Sequence, residues 1–359
     1  MALLLAPLFN SYAQTVTTPR SASPAAEVKQ TIGISEITVN YSRPKVTSPQ
    51  GQDRTDKIWG ALVPYGFNVQ GFGTGNPAPW RAGANENTTI TFSDDVKVEG
   101  KDLKAGTYAL FIEVKEGNEA TAIFSNNSSS WGSFFYNESE DALRVPIKSK
   151  ENAFTEVLTY NFVDFSANST VLALDWEKKR FEINLAFDVH EIVINNFKNE
   201  LRSTAGFGWQ GPLAAAQYCL NNKVHLDDAM TWVDQSINNT RNFNNVFVKA
   251  RLVKLKGNDN LYNEMMDEAS TLANIGQLNF LGYQLLGQGD TKKAIEFFKL
   301  NVKRNPTDAN VHDSLGEAYR ANGQDKLAIE MFKKSLSLNP PAGTKANSEK
   351  HLKELGVKL

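Results

Sequence analysis

Residues 80–112 read WRAGANENTTITFSDDVKVEGKDLKAGTYALFI, and this stretch decides the fold of the first half of the chain. Apolar and polar residues alternate through much of it, which is the period of a half-buried β-strand. It includes Leu103–Tyr108, where a glycine precedes a tyrosine by two residues. In Greek-key sandwiches, a tyrosine at the start of a strand bonds through its hydroxyl to backbone a few residues upstream. The stretch therefore predicts a β-sandwich with a fixed corner.

Short alternating strands are found on both sides of this stretch. The predicted strands are 28–32, 37–41, 157–163, 171–176 and 181–187. The charged residues 177–180 are predicted to form the turn between the last two strands. Because no helical period begins before about residue 190, we expect residues 25–189 to form an all-β Greek-key sandwich.

Beyond residue 190 the pattern is helical, and it repeats every 34 residues. Leu281, Gly282, Gly289, Ala294, Phe298 and Pro306 recur as Leu315, Gly316, Gly323, Ala328, Phe332 and Pro340. A small residue where two helices cross, an aromatic residue one turn later and a closing proline are typical of tetratricopeptide repeats. The repeats are clearest at 275–306 and 309–340. They belong to an α-helical solenoid predicted for 210–359. Residues 190–209 are predicted to form a linker or capping helix. The predicted fold is thus α+β and multidomain.

Residues 1–14 read MALLLAPLFNSYAQ. An apolar core followed by Ser11-Tyr12-Ala13 matches the h-region and the small-residue cleavage site of a secretory signal, although a basic n-region is absent. We therefore expect a signal peptide over 1–13, truncated at its start, and a periplasmic or secreted mature protein. The apolar run is shorter than the roughly 20 residues of a spanning helix, so no transmembrane segment is expected.

The composition of the 359 residues argues against several classes of function. A net charge of -2 gives no general case for nucleic acid, whose binders usually carry a basic patch. The four histidines have no ligand spacing and Cys219 is the single cysteine, so neither a metal site nor a cofactor is predicted. No Gly-x-Ser-x-Gly motif occurs. The sequence therefore predicts no catalytic residues and favours a protein that is not an enzyme.

The loop 80–86 contains the best candidates for binding a small polar ligand or a sugar. The candidates are Trp80, Arg81, Asn85 and Glu86, with Tyr41, Arg43 and Trp59 expected nearby. An arginine, an amide and a carboxylate beside aromatic walls would suit a carbohydrate-binding protein or a hydrolase. Alternatively, Arg81 and Glu86 pair with each other and only fix the loop. Pairing with Arg43 or Asp94 would have the same structural effect.

Stacked helix pairs form a groove that holds extended segments of partner proteins. The predicted groove residues are Gln277, Asn279, Asp313 and Glu317, all on first helices of the repeats. Residues 273–359 carry more Lys and Arg than Asp and Glu, which favours an acidic or C-terminal-carboxylate peptide. The repeats are therefore predicted either to bind a protein or peptide partner or to serve as a purely structural cap.

Several strings in the first half resemble a family of exported proteins of Gram-negative bacteria, the domain of unknown function 2911. The strings are QTIG at 30–33, ITVNYSRP at 37–44, IWGALVPYG at 58–66, WRAGANE at 80–86, LKAGTYALF at 103–111 and LDWE at 174–177. Members of this type often carry tetratricopeptide repeats after the domain, and residues 67–79 are an insertion relative to the family. The resemblance supplies no activity. Together with the repeats, it implies an exported interaction or scaffold protein of the cell envelope.

Overall fold

The computed structural model describes residues 22–358, so the expected signal peptide lies outside the described residues. The chain divides into two compact units, the first ending at Val193 and the second beginning at Ile194. The first unit is built mainly from β-strands and the second from α-helices. This is the predicted order of an all-β domain followed by a helical array.

Within the described residues, nine strands form one sheet and two short strands form a separate pair. The strands are β1 (Ala25–Ile32), β2 (Ser35–Ser42), β3 (Asn68–Val69), β4 (Pro77–Ala78), β5 (Thr89–Phe92), β6 (Val96–Val98), β7 (Lys101–Leu103), β8 (Gly106–Val114), β9 (Glu119–Ser125), β10 (Asp141–Val163) and β11 (Ser169–Ala186). The order in the large sheet is β1-β2-β5-β8-β9-β10-β11-β6-β7, and β3 pairs with β4. All of these pairings are antiparallel.

The long strand β10 folds the large sheet into two layers. Its first residues, 141–148, pair with β9, and from Ser149 onward it pairs with β11. Side chains from both layers meet in one core, which includes Phe124 of the first layer and Leu158 and Trp176 of the second. The protein therefore makes a sandwich from one continuous sheet that turns over at β10.

The hairpin β6–β7 provides the Greek-key crossover. Strands β5 and β8 pair directly in the first layer, whereas the hairpin between them in sequence pairs with β11 in the second layer. The chain returns through Leu103–Tyr108, where the Tyr108 hydroxyl donates a hydrogen bond to the Lys104 carbonyl at 2.9 Å. Gly106 adopts a φ of 153°, which favours glycine. The predicted tyrosine corner is confirmed.

The turn predicted at 177–180 is wrong, because β11 runs through these residues without interruption. Glu177 has a φ of 56° and is 3% exposed. It pairs with Thr155 of β10, and the pairing register shifts both before and after Thr155. The strand therefore bends at an irregularity while pairing continues. Arg180 forms an ion pair with Asp175 of the same strand at 2.6 Å. The charged run resembled a turn, but some of its charges are paired on the sheet.

Residues 67–79, which were expected from the sequence to be an insertion, cover the outer face of the first layer. A small core there consists of Phe67, Ala78, Ala109, Phe111, Ile123 and Tyr136. The Thr74 amide donates a hydrogen bond to the Phe134 carbonyl at 2.9 Å. A Cβ on Gly73 would lie 1.9 Å from the same oxygen, so the backbone approaches closely only because this residue is glycine. Residues 67–79 are therefore a packed part of the domain.

The second unit consists of helices packed as consecutive pairs. The helices, with α1 spanning the boundary between the units, are α1 (Val189–Glu200), α2 (Gln210–Asn222), α3 (Leu226–Asn239), α4 (Phe243–Leu255), α5 (Asp259–Leu272), α6 (Ile275–Gly287), α7 (Thr291–Arg304), α8 (Ala309–Ala321), α9 (Asp325–Ser337) and α10 (Ala342–Glu354). The pairs are α2/α3, α4/α5, α6/α7 and α8/α9, with α10 packed on the last of them. This arrangement confirms the predicted tetratricopeptide-like array. In the described part of the chain, no helix is long and apolar enough to cross a bilayer.

Gly282 and Gly316 explain why a Leu-Gly pair recurs in the repeats. A Cβ on Gly282 would lie 2.5 Å from the Phe298 ring, and one on Gly316 would lie 2.7 Å from the Phe332 ring. Both phenylalanines are fully buried. The two helices of each repeat can cross closely because the first helix presents no side chain at this point.

Candidate functional site

The loop 80–86 is fixed to the sandwich by hydrogen bonds to strands β8 and β10. The Trp80 carbonyl accepts from the Ile112 amide at 2.9 Å, and the Ala82 carbonyl accepts from the Tyr160 hydroxyl at 2.9 Å. Burial raises the pKa of the Tyr160 hydroxyl well above its ordinary value, so it remains a donor. The loop therefore has a defined conformation.

The guanidinium of Arg81 is held within this loop region without a carboxylate partner. It donates a hydrogen bond to the Asn85 carbonyl and lies 4.8 Å from the centre of the Phe134 ring. A Cβ on Gly132 would lie 2.2 Å from its Nη1 atom, so Gly132 makes room for it. Burial lowers the pKa of Arg81, and no described carboxylate, including that of Glu86, forms an ion pair with it. The suggested Arg81–Glu86 pair is therefore not present.

Asn85 and Glu86 use their side chains to hold neighbouring segments. The Asn85 Nδ2 group donates to the Ser23 carbonyl at 3.2 Å, and the Glu86 carboxylate accepts from the Ser42 hydroxyl at 3.5 Å. These contacts fasten the loop to the first strands. They give no support to a sugar site built from this amide and carboxylate.

Tyr41 and Arg43 fasten the end of β2 to β10. Arg43 donates from Nε to the Leu158 carbonyl at 3.0 Å and from Nη2 to the Thr159 hydroxyl at 2.7 Å. The Tyr41 ring packs edge-on against Tyr160 with 4.8 Å between the ring centres. These two candidates therefore connect the layers of the sandwich.

Trp59 and Trp80 do come together, in a cluster of aromatic rings. Their ring centres are 5.7 Å apart, and the Trp176 ring is 5.8 Å from that of Trp59. Trp80 and Trp176 stack at 6.0 Å with 18° between their planes, and Phe181 lies 5.3 Å from Trp59. The indole N–H groups of Trp59 and Trp176 have no hydrogen-bond partner among the described residues. Apart from these N–H groups, the packed rings give the cluster a mainly apolar surface.

A cavity of about 1000 Å³ lies beside this cluster. Of the predicted ligand candidates, Trp80 and Arg81 line it, and Trp176 is a further part of its wall. Its charged lining residues Lys45, Arg54 and Glu156 were not recognised from the sequence. Its volume is that of a small-molecule site. Within residues 22–358, no three His, Cys, Asp or Glu side chains come together as a metal site requires.

The two groove candidates on α6 have different environments. Gln277 is part of a capping box, in which its Oε1 atom accepts from the Asn274 amide at 2.9 Å. Asn279 is half-buried, and its Oδ1 atom has no partner among the described residues. Gln277 therefore stabilises the start of the helix. The unpartnered Oδ1 atom of Asn279 is buried, so it does not lie at the surface of a groove.

The two groove candidates on α8 bind the last helix. Asp313 is 4% exposed and accepts hydrogen bonds from Ser348 and Asn347 of α10. Asn347 also donates to Glu317 at 2.6 Å, and the Tyr283 hydroxyl donates to Glu317 at 2.8 Å. Burial raises the pKa of Asp313, although the hydrogen bonds from α10 act in the opposite direction. Helix α10 therefore covers part of the face of α8 that was predicted to bind a partner.

The first helices also present aromatic residues that were not named from the sequence. Phe280 and Tyr283 of α6 are 48% and 39% exposed, and Phe280 packs edge-on against Phe247 of α4 at 5.6 Å. We call Phe247, Phe280 and Tyr283 the aromatic row. Tyr283 could have been found from the 34-residue period, because the period aligns it with Glu317, a predicted groove position.

Comparisons with known proteins found a separate family match in each unit. Residues 23–185 match the family described as protein of unknown function (DUF2911), and residues 309–341 match the tetratricopeptide repeat. The crystal structure of MamA aligns with 18% identity over 41% of this chain and 86% of that chain, with a TM-score of 0.30. YrrB, described as a TPR protein with an unusual peptide-binding site, aligns with 14% identity over 45% of this chain and 83% of that chain, also with a TM-score of 0.30. No curated protein matches this chain.

The two family matches occur in the predicted order. The first begins before β1 and ends within β11, and the second covers α8 and α9. In this chain, a segment that matches the DUF2911 family is therefore followed by a C-terminal array of tetratricopeptide repeats.

Proposed function

We propose that this chain is an exported interaction protein of the cell envelope, whose helical unit binds a segment of a partner protein along the first helices of its repeats. The observation that carries the proposal is the aromatic row, in which Phe280 and Tyr283 are exposed side by side. Contiguous exposed apolar surface is typical of interaction sites. Aromatic residues are also enriched among the interface residues that contribute most to affinity.

A depression of about 330 Å³ extends this surface from the aromatic row towards α2. It is lined by Trp209, Gln210, Leu213, Ala214, Gln217, Asn244, Phe247 and Val248. None of these side chains is charged, so the depression suits an apolar side chain of the partner. Because Phe247 belongs to both, the depression and the aromatic row form one track across α2, α4 and α6.

Arg251 provides a positive charge beside this track. Its guanidinium carbon lies 5.9 Å from the centre of the Phe247 ring, and no carboxylate of the described residues forms an ion pair with it. Lys249 and Lys254, the other cations of α4, are paired with carboxylates at 2.7 and 2.5 Å. Arg251 is therefore available to a partner. These features support a segment with an apolar anchor next to an acidic residue or a C-terminal carboxylate.

Affinity for a captured partner tests this proposal. The partner is captured from a cell-envelope extract with the full-length chain, identified and purified, and its dissociation constant is measured by calorimetry. Phe280→Ala should weaken binding about thirty-fold, because loss of an aromatic anchor typically costs about 2 kcal/mol. Arg251→Gln should weaken it less and should reduce its dependence on salt concentration.

Leu327→Ala is the matched control. Leu327 is 36% exposed on α9, a second helix of the array, so its removal should leave the affinity unchanged. If the partner binds Phe280→Ala and Arg251→Gln as tightly as the wild type, the first helices are not the binding surface. The alternative prediction, that the repeats only serve as a structural cap, would then be favoured.

Export is the second part of the proposal, and it is supported by the sequence of residues 1–14, with its apolar core and small-residue cleavage site. We expect the mature protein to be periplasmic or secreted and to begin at Gln14. Cells that express the gene from its native start are fractionated to locate the protein. N-terminal sequencing then shows where the mature protein begins. Recovery from the cytoplasm with Met1 retained would contradict export.

A further inference from the structure

The cavity beside Trp80 takes no part in the function proposed above, yet its walls have the properties of a binding site. Five prolines line it: Pro24, Pro44, Pro49, Pro64 and Pro79. Because the proline ring fixes φ, such walls lose little conformational freedom when a ligand binds. With a volume of about 1000 Å³, the cavity can enclose a small molecule.

The charged groups of the cavity lining are mostly positive. The lining includes the cations Lys45, Arg54 and Arg81 and a single carboxylate, that of Glu156. Glu156 accepts a hydrogen bond from the Thr47 amide at 3.0 Å. Among residues 22–358, none of the three cations forms an ion pair with a carboxylate. A cavity lined with an excess of one charge attracts ligands of the opposite charge.

The two guanidinium groups are held in place by backbone carbonyls. Arg54 donates from Nε to the Val46 carbonyl at 2.9 Å and from Nη2 to the Lys45 carbonyl at 2.6 Å. Arg81 donates to the Asn85 carbonyl, and burial without a counterion lowers its pKa. A bound anion would offset this cost of burial. An arginine held in position also loses little freedom when it binds an oxyanion.

The aromatic cluster forms the apolar side of the same cavity. Trp80 is half-buried and Trp176 is 2% exposed, and Leu62 lines the cavity with 46% of its surface exposed. An indole ring offers a flat surface on which a ring or another flat apolar group can pack. The cations and the apolar wall therefore line the same cavity.

We propose that this cavity binds a small organic anion, with a carboxylate or similar oxyanion head held by Arg81, Arg54 and Lys45 and a flat apolar body packed against Trp80. The guanidinium groups supply directional N–H donors to the oxygens. The indole wall excludes water from the apolar body. Because the cavity lies in the β-sandwich, a failure of this proposal leaves the proposed binding by the helical unit unaffected.

Three naphthalene probes of similar size test the charge requirement. At neutral pH naphthoate is an anion, naphthamide is neutral and naphthylmethylammonium is a cation. In calorimetric titrations of the full-length chain, naphthoate should bind most tightly, naphthamide less tightly and naphthylmethylammonium most weakly. Naphthoate should bind about ten-fold more tightly than naphthamide, because hydrogen bonds to a charged group are stronger than those to a neutral one. Equal affinities for the three probes, or no binding of naphthoate, would overturn the proposal.

Two pairs of variants locate the bound probe. Leu62→Glu places a negative charge on an exposed position of the lining, so it should weaken naphthoate binding several-fold relative to Leu62→Gln. Arg81→Gln should weaken it about ten-fold relative to Lys101→Gln, which removes the same charge from the exposed hairpin β6–β7. Circular dichroism checks that each variant is folded. If neither Leu62→Glu nor Arg81→Gln lowers the affinity relative to its control, the anion binds elsewhere and the proposal is wrong.

Discussion

Replacing Phe332 with alanine should lower the free energy of unfolding of the helical unit by about 3–5 kcal/mol, the cost of removing a large buried ring. Phe332 is fully buried, and its ring fills the space left by Gly316 on the neighbouring helix. It also stacks on His351 of α10 with 4.9 Å between the ring centres. The surrounding helices cannot close this cavity without moving, so most of the packing energy is lost. Hydrogen exchange of amides in α8 and α9 of the full-length chain measures the effect.

Leu327→Ala is the control on the same helix. Leu327 is 36% exposed, and an exposed substitution away from special contacts changes stability by only about 0.5 kcal/mol or less. If the amides of α8 and α9 were as well protected from exchange in Phe332→Ala as in Leu327→Ala, these two helices would not pack as described. Protection in β10 should not change in either variant, since these substitutions lie in the other unit.

Trp176→Ala should destabilise the β-sandwich by a similar amount, about 3–5 kcal/mol. Trp176 is 2% exposed and contacts both Trp59 and Trp80, so its removal takes two ring contacts from the aromatic cluster. Chemical denaturation of the full-length chain, followed through exchange of the amides of β10 and β11, measures the loss.

Two further variants show whether the lost stability of Trp176→Ala comes from the missing buried ring. Trp176→Phe should cost much less than Trp176→Ala, because the Trp176 indole N–H has no hydrogen-bond partner among the described residues and a ring is retained. Trp131→Ala removes a tryptophan that is 51% exposed and should change little. If Trp176→Ala were no more destabilising than Trp131→Ala, the aromatic cluster would not belong to the core of the sandwich.

The sequence predicted the elements that arise from local periodicity. The alternation of apolar residues located the strands, because successive side chains of a strand point to opposite faces. The 34-residue period located the repeats, because each repeat buries Phe298 or Phe332 against a glycine at a constant distance along the chain. The corner at Tyr108 was also predictable, since its donor and acceptor are only four residues apart.

The charged run 177–180 shows where local reasoning failed. Polar residues in series are typical of turns, but whether a strand continues depends on the partner strand. Here β10 continues to pair across the bend, as Glu177 lies opposite Thr155. A single left-handed residue then bends β11 without ending it. The bend is therefore a property of the strand pair and cannot be read from either strand alone.

By itself, then, the sequence determined a β-sandwich followed by helical repeats and the tyrosine corner, and it named Trp80 and Arg81, which line the cavity. Only the tertiary structure placed Lys45, Arg54 and Glu156 around one cavity, because these residues come from segments that no periodic pattern connects. Likewise, the repeat period identified the first helices, but it could not show that α10 covers Asp313 and Glu317 while Phe280 remains exposed. Periodicity determines which face of a helix is buried, whereas the exposure of the opposite face depends on the neighbours that pack beside it.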